Sequence, residues 1–414
     1  MSGSQAGTVT DFLPSPPRDR RLRLGLRLAE MIRVGTLTVV LPDGSTHRVV
    51  RTAEPAATLI VKHPRAVTKL VTGGSLGLAE AYLDELWDSP EIRDVMTLAA
   101  ANEEQWREML MGRPWVRRVN RFLHLLRPNT RKGARRNISD HYDLGNDFYA
   151  RWLDPGMAYS SALFDGANTL EQAQIRKMRR LCDALELKPG MRVLEIGCGW
   201  GGLAELAARE YGVHVTGVTL SEKQLEYARG RIAAAGLSAQ VELRLQDYRD
   251  IDGQFDRIVS VEMFEAVGEE YWPSYFATLM NRLVPGGRAG VQTITIADSL
   301  FDDYRRTADY IQRHIFPGGM LPGMTRLREE VSRAGLEWIH AHWFGRDYAE
   351  TLSRWQAAFQ SAWPEIARLH TTTPGRRPYD ARFKRLWEYY LSYCETGFRA
   401  GWTDVGQILL ARPG

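Results

Sequence analysis

Cysteine is scarce in this chain: three among 414 residues, Cys182, Cys198 and Cys394, far apart and with no C-x-x-C spacing. That excludes a disulfide framework or a structural zinc site, and it makes the reducing cytoplasm the natural compartment. Long apolar runs are missing too. No stretch reaches the roughly 18 apolar residues a membrane-spanning helix needs. The opening, MSGSQAGTVTDFLPSPPRDR, has no apolar h-region and carries two adjacent prolines. Residues 1–19 therefore read as a disordered lead-in rather than a signal peptide.

Acidic residues vanish between Glu108 and Asp140, although the whole chain nearly balances 54 basic against 50 acidic side chains. Within 109–138 stand Arg113, Arg117, Arg118, Arg121, Arg127, Arg131, Lys132, Arg135 and Arg136, interleaved with Trp115, Val119, Phe122, Leu123, Leu125 and Leu126. A helix here would carry an aromatic-aliphatic stripe flanked by arginines, as interfacial membrane helices do. Each basic group near an anionic bilayer contributes about 1 kcal/mol. A solvated basic linker between two domains fits this segment equally well. Nucleic acid is not expected as a partner, because no recognised binding module surrounds the segment.

The length exceeds one ordinary core and fits two domains. Over 20–108 the pattern is α+β. RRLRLGLRLAEMIR has helical spacing, GTLTVVLPDGSTHRVV reads as a hairpin around Pro42-Asp43-Gly44, and GGSLGLAEAYLDELW and EIRDVMTLAAANEEQW are helical. It holds no cluster of titratable groups and reads as an accessory or binding module. Over 139–414 strands alternate with helices: MRVLEIG, VHVTGVTLS, VELRLQD, FDRIVSVEMFEAVG and RAGVQTITI are strands. That alternation predicts an α/β fold with a doubly wound, Rossmann-like parallel sheet.

Gly197, Gly199 and Gly202 fit G-x-G-x-x-G between a strand and a helix, where glycines allow a tight turn and close approach of backbone N–H groups to a ligand. Nicotinamide and S-adenosylmethionine enzymes share this pattern. Three features favour the second. Glu195, just before the loop, can meet the ammonium of a methionine moiety. Cys198 and Trp200 complete GCGWGG. Gln246, Asp247 and Tyr248, after the third strand, suit an adenine edge and face. The second strand ends in Thr219 and Leu220 with Gln224 following, where a nicotinamide enzyme would place an acid.

Several stretches together resemble the cyclopropane-fatty-acid-phospholipid synthase family, which includes the mycolic acid cyclopropane synthases. They are HYDLGNDFYARWLDPGMAYSSALF, VLEIGCGWGGLA, VTLSEKQ, LQDYRD, FDRIVSVEMFEAVG, YIQRHIFPGGMLP and YYLSYCETGFRAGW. The resemblance covers most of the chain from about residue 20. It implies a class I methyltransferase domain, S-adenosylmethionine held also by Tyr159 and Ser160, and a homodimer. Its reaction is attack of a cis alkene in a phospholipid acyl chain on the sulfonium methyl, leaving a carbocation on the chain. Proton loss from that cation gives a cyclopropane or a methylene branch; hydride addition gives a methyl branch. The cation needs aromatic faces, for which Tyr159, Phe164, Tyr304, Tyr310, Phe316, Tyr348 and Trp355 are candidates.

In the family the proton acceptor is a bound bicarbonate held by Cys, Glu, His and Tyr. Carried over, the glutamate is Glu265 and the tyrosine Tyr348. The cysteine and histidine positions hold Ser161 and Gln292, which donate hydrogen bonds but do not titrate. Cys394 matches a further active-site cysteine. EAVG, glutamine on the fifth strand and FPGG-x-LP also resemble the branch of the family making methyl- or methylene-branched fatty acids. Two other readings stand beside this one: a small-molecule N- or O-methyltransferase, and a decayed lipid-binding homologue.

Overall fold

The computed structural model describes residues 9–11, 16–110, 144–307, 309–369 and 379–414. They form two compact units. The first takes in the described residues before 111, with 307, 309–310 and 379–400; the second takes in 144–306, 311–369 and 401–414.

The first unit contains β1 (Val9–Asp11), α1 (Arg20–Ala29), β2 (Thr36–Val40), β3 (Thr46–Val50), β4 (Ala56–Val61), α2 (Arg65–Leu83), β5 (Trp87–Asp88), α3 (Ile92–Ala101) and α4 (Glu103–Leu110). Its sheet runs β1-β3-β2-β4-β5. The expected hairpin is present as β2–β3, closed by Leu41 N–H donating to the Ser45 carbonyl at 2.8 Å. Two strands depart from the sequence reading. Val9–Asp11 pairs with β3 inside the segment expected to be a disordered lead-in. Ala56–Val61, whose AATLIV run follows a proline and shows no clean apolar–polar alternation, pairs parallel with β2. The helix Ala381–Arg399 also packs here, against α2 and α3, although chain order assigns it to the second domain.

The second unit is built on β6 (Arg192–Ile196), β7 (His214–Thr219), β8 (Val241–Leu245), β9 (Phe255–Val261), β10 (Leu283–Ile296), β11 (Glu337–Trp343) and β12 (Thr403–Ala411), in the order β11-β12-β10-β9-β6-β7-β8. The run β10-β9-β6-β7-β8 is parallel, and β12 inserts antiparallel between β10 and β11. Its helices are α5 (Asn146–Tyr149), α6 (Leu170–Ala184), α7 (Gly202–Tyr211), α8 (Glu222–Ala234), α9 (Trp272–Arg282), α10 (Asp298–Tyr304), α11 (Tyr310–His314, of which Tyr310 counts with the first unit), α12 (Met324–Arg333) and α13 (Gly345–Ile366); the helix Ala381–Arg399 is α14.

Side chains alternate across a strand, so a sheet covered on both faces reads as a continuous apolar run. Val193 enters one core with Met178, Leu203, Leu225 and Ile232 of α6, α7 and α8. Its neighbour Leu194 enters the other, with Phe276, Leu279, Leu327 and Val331 of α9 and α12. This is the doubly wound sheet the alternation predicts. A crevice opens beyond the carboxyl ends of β6 and its two neighbours, β7 and β9, where ligands of such sheets bind. The fourth strand stops earlier than the sequence suggests. β9 ends at Val261, and Glu262 adopts φ +48° before a short 3-10 turn over Phe264–Ala266.

Candidate active site

The glycine turn after β6 is built from left-handed backbone: Gly197, Gly199 and Gly201 have φ of +85°, +51° and +81°. A Cβ on Gly197 would sit 2.9 Å from Met263 Cγ. Replacing Gly197 by Ala therefore combines backbone strain with a clash. A stability loss of about 1–3 kcal/mol is expected, read as a lower Tm, together with weaker S-adenosylhomocysteine binding by calorimetry.

All twelve residues expected to hold the cofactor line one pocket: Tyr159, Ser160, Glu195, Gly197, Cys198, Gly199, Thr219, Leu220, Gln224, Gln246, Asp247 and Tyr248. Glu195 is 4% exposed, and its Oε2 is buried without a hydrogen-bond partner. Desolvation pushes its carboxyl up to about 8. The Ala204 N–H offsets this only in part, and a buried carboxyl with one oxygen unpartnered beside a glycine turn fits a cationic ligand group. Thr219 Oγ1 donates to Gln224 Oε1 at 3.1 Å, and Ser221 caps α8, which fixes that wall. Asp247 differs from expectation in one respect. Its carboxylate already takes both Arg249 nitrogens, at 2.8 and 2.6 Å, so it meets a ligand as half of an ion pair.

Beside this pocket lies a second cluster, and its centre is a residue the sequence reading passed over. Glu262 Oε1 accepts from Ser161 N–H at 2.8 Å and from Gln292 Nε2 at 2.8 Å, while its Oε2 accepts from Tyr348 Oη at 2.6 Å. The structure thus unites Ser161, Gln292 and Tyr348, but around Glu262 rather than Glu265. Glu265 stands next to them. Its Oε1 accepts from Ile294 N–H and Thr293 Oγ1, and its Oε2 is buried without a hydrogen-bond partner. Burial, and then the neighbouring Glu262 charge, pushes Glu265 up to about 8. Lys177, 1% exposed on α6, lines the pocket and donates to Ser160 Oγ at 2.6 Å. Desolvation lowers it to about 8 against the pull of Glu262 and Asp154.

One signal for Glu262 was in the sequence. SVEMFEAVG offers two acids three residues apart at a strand end, and strand periodicity cannot say which one turns inward.

Of the aromatic candidates, Tyr159, Tyr348 and Trp355 come together. Tyr159 and Tyr348 ring centroids lie 5.3 and 6.1 Å from that of Trp355, and Trp152 closes the group at 5.7 Å from Tyr159. Phe164 instead lies under Arg354, and Tyr304 packs against the α9–α12 core. Tyr310 belongs to the first unit, packed on Tyr389. Cys394 is carried by α14 in that same unit, where desolvation pushes its thiol well up. Its part in the chemistry rests on the resemblance alone. The basic stretch from 111 to 138 falls outside the described residues. Among the described residues no helix is long and apolar enough to cross a membrane, and no group of His, Cys, Asp and Glu is arranged to hold a metal.

A family model described as mycolic acid cyclopropane synthetase matches residues 129–408. The chain belongs to that family. A tuberculostearic acid methyltransferase, UfaA1, of Mycobacterium tuberculosis is 39% identical over 400 residues, covering 91% of this chain and 88% of that protein. The cyclopropane-fatty-acyl-phospholipid synthase of Escherichia coli is 39% identical over 360 residues, covering 86% and 88%. Among solved structures, mycolic acid cyclopropane synthase CmaA1, complexed with SAH and CTAB, aligns with a TM-score of 0.62 at 30% identity, covering 67% of this chain and 98% of that one. This member of the mycolic acid cyclopropane synthetase family is an S-adenosylmethionine-dependent methyltransferase, and the glycine-turn pocket with its unpaired Glu195 suits that cofactor.

Proposed function

We propose that the protein methylates the cis double bond of unsaturated acyl chains in membrane phospholipids, giving a cyclopropane or a methyl- or methylene-branched fatty acid. The observation that carries this reading is a pocket lined by a left-handed glycine turn, a buried Glu195 with one oxygen unpartnered, Tyr159 and Glu262, with Trp355 packed on Tyr159 and the Tyr348 hydroxyl on Glu262. S-adenosylmethionine, when bound, supplies an electrophilic methyl group. Glu195 would take its ammonium, the N–H groups of the glycine turn its methionine portion, and Gln246 and Tyr248 its adenine. Tyr159, Tyr348 and Trp355 offer π faces to a chain cation, each worth roughly 0.5–2 kcal/mol.

Expression in a host with monounsaturated phospholipids, followed by mass spectrometry of the fatty acids, tests the reading. Chains heavier by one CH2 are expected for a cyclopropane or a methylene branch and by CH4 for a methyl branch, and mild hydrogenation then separates the ring from the methylene. Unchanged acyl chains in cells containing folded protein would falsify the function.

The finer claims concern the membrane. Docking to an anionic inner leaflet, assigned from sequence to 109–138, gains support from α1 and the loop after it. Arg18, Arg20, Arg21, Arg23, Arg27 and Arg33 are exposed there. Three of the four exposed large hydrophobic residues among the described ones, Leu24, Met31 and Val34, stand among them. Neutralisation of Arg20, Arg23 and Arg27 together, each to Gln, removes about 3 kcal/mol of attraction at 1 kcal/mol each. We expect roughly a hundredfold weaker co-sedimentation with vesicles containing anionic lipid, with Tm unchanged. Wild-type binding should also fade at high salt. A homodimer completes the proposal, and light scattering checks it.

A further inference from the structure

The geometry points to Glu262 as the built-in proton acceptor of the reaction, a carboxylate of the chain itself standing where a small external anion would otherwise be held. This inference rests on the methyl-transfer reading above. Three observations carry it. The first is the donor set: Ser161 N–H, Gln292 Nε2 and Tyr348 Oη converge on the two oxygens of Glu262 at 2.6–2.8 Å. Three hydrogen bonds to a carboxylate favour its charged form. Gln292 is itself oriented by Gln407, whose Nε2 donates to Gln292 Oε1 at 3.1 Å.

The second is the backbone. Glu262 holds φ +48°, a region glycine enters freely and a glutamate enters at a cost. A strained non-glycine residue persists where its surroundings demand it, and such residues cluster at functional sites. The strain here aims the side chain into the pocket wall, which Glu262 and Met263 both line.

The third is the charge balance around it. Facing Glu262 are Lys177, Glu265 and the Tyr348 hydroxyl, with Asp154 acting on Lys177. Two neighbouring acids in one enclosed site do not both ionise readily, so one keeps a proton. Glu262 has Lys177 and three donors on its oxygens, whereas Glu265 Oε2 has no hydrogen-bond partner. Burial pushes the Glu262 carboxyl up, but Lys177 and the three donors oppose that rise, whereas burial and the Glu262 charge both push Glu265 up; of the pair we assign the charge to Glu262 and the shared proton to Glu265. Gln292, in place of the titratable histidine, follows from this arrangement, while at 161 the donor is the backbone N–H, which any residue there other than proline supplies. A fixed carboxylate needs neutral donors to seat it, not groups that tune a diffusible anion.

The alkene π pair forms the new C–C bond to the methyl carbon as the methyl–sulfur bond breaks, its pair staying on sulfur. The resulting chain cation loses a proton to a Glu262 oxygen. The C–H pair closes the ring when the proton comes from the new methyl, and forms a C=C bond when it leaves so as to give a methylene.

Glu262→Gly is the decisive variant, because glycine relieves the strained backbone while leaving all three donors in place. General-base loss lowers turnover about a hundredfold or more. Added bicarbonate or formate should restore at least tenfold of this in a saturable way, and should leave the wild type unaffected. S-adenosylhomocysteine affinity within threefold of wild type shows that the pocket persists. Glu262→Gln, isosteric and neutral, should match the loss without rescue, at unchanged Tm. Lys177→Met should move the acid limb of kcat/KM to higher pH: removing the cation raises the Glu262 pKa, and a base works only when ionised. Full turnover by Glu262→Gly without added anion overturns the inference, and so does a dead variant that binds S-adenosylhomocysteine but no anion rescues. A wild type that makes no heavier lipid overturns the methyl-transfer reading instead.

Discussion

Replacing Glu195 by Gln is expected to weaken S-adenosylhomocysteine binding roughly ten- to a hundredfold, the 1.5–3 kcal/mol typical of a hydrogen bond to a charged group. The reason is local. Glu195 is the last but one residue of β6, its Oε2 has no hydrogen-bond partner, and desolvation holds the free carboxyl at about 8. The ammonium of the ligand favours the ionised form, so binding at pH 6 must expel a proton from Glu195. Wild-type affinity should therefore rise as pH is raised from 6 towards 8, by up to tenfold per unit, and level off above. Calorimetry in buffers of different ionisation enthalpy counts the proton released.

The sign for stability is opposite. A carboxyl whose folded pKa lies above its unfolded value of 4.5 contributes stability below that value and loses it as pH climbs through 8. The ligand-free protein should lose up to about 1.4 kcal/mol per pH unit from this group within the window, and Glu195→Gln should lack that slope. A wild-type affinity that stays flat from pH 6 to 8 would remove Glu195 from the ammonium site.

The second large effect is expected at Trp355. Its side chain is fully buried on α13, between Tyr159, Tyr348 and Trp152. Truncation to Ala would cost about 3–5 kcal/mol of stability, enough to confuse unfolding with chemistry. The informative pair is Trp355→Phe and Trp355→Leu, which leave comparable gaps but differ in the π face. If that face stabilises the chain cation by about 0.5–2 kcal/mol, Leu should turn over roughly two- to thirtyfold more slowly than Phe at matched Tm. Equal rates in the two variants would assign Trp355 to packing alone.

Much of this protein was legible before its fold. Strand-helix alternation gave the second unit because a sheet buried on both faces must be apolar on both, as Val193 and Leu194 illustrate by entering opposite cores. The cofactor cradle was legible for a related reason. Its residues follow directly on strand ends, so sequence position and spatial position coincide. That is why Glu195, Thr219 and Gln246, each at or just after the end of a strand, reach one pocket.

What lay beyond the sequence is what depends on long-range approach. β4, AATLIV, shows no clean apolar–polar alternation, and α14 packs on α2 and α3 across nearly the length of the chain. The choice between Glu262 and Glu265 is of the same kind. On an ideal strand, residues three apart face opposite sides, but β9 breaks at Glu262 with a left-handed φ. Only the packed unit brings Ser161, Gln292 of β10 and Tyr348 of α13 onto that one carboxylate. The sequence by itself determined the sheet, the glycine turn and the methyl donor, because local spacing and hydrophobic period set them. The tertiary structure alone decided which acid collects the three donors, because hydrogen bonds spanning 30 to 101 residues of chain do that.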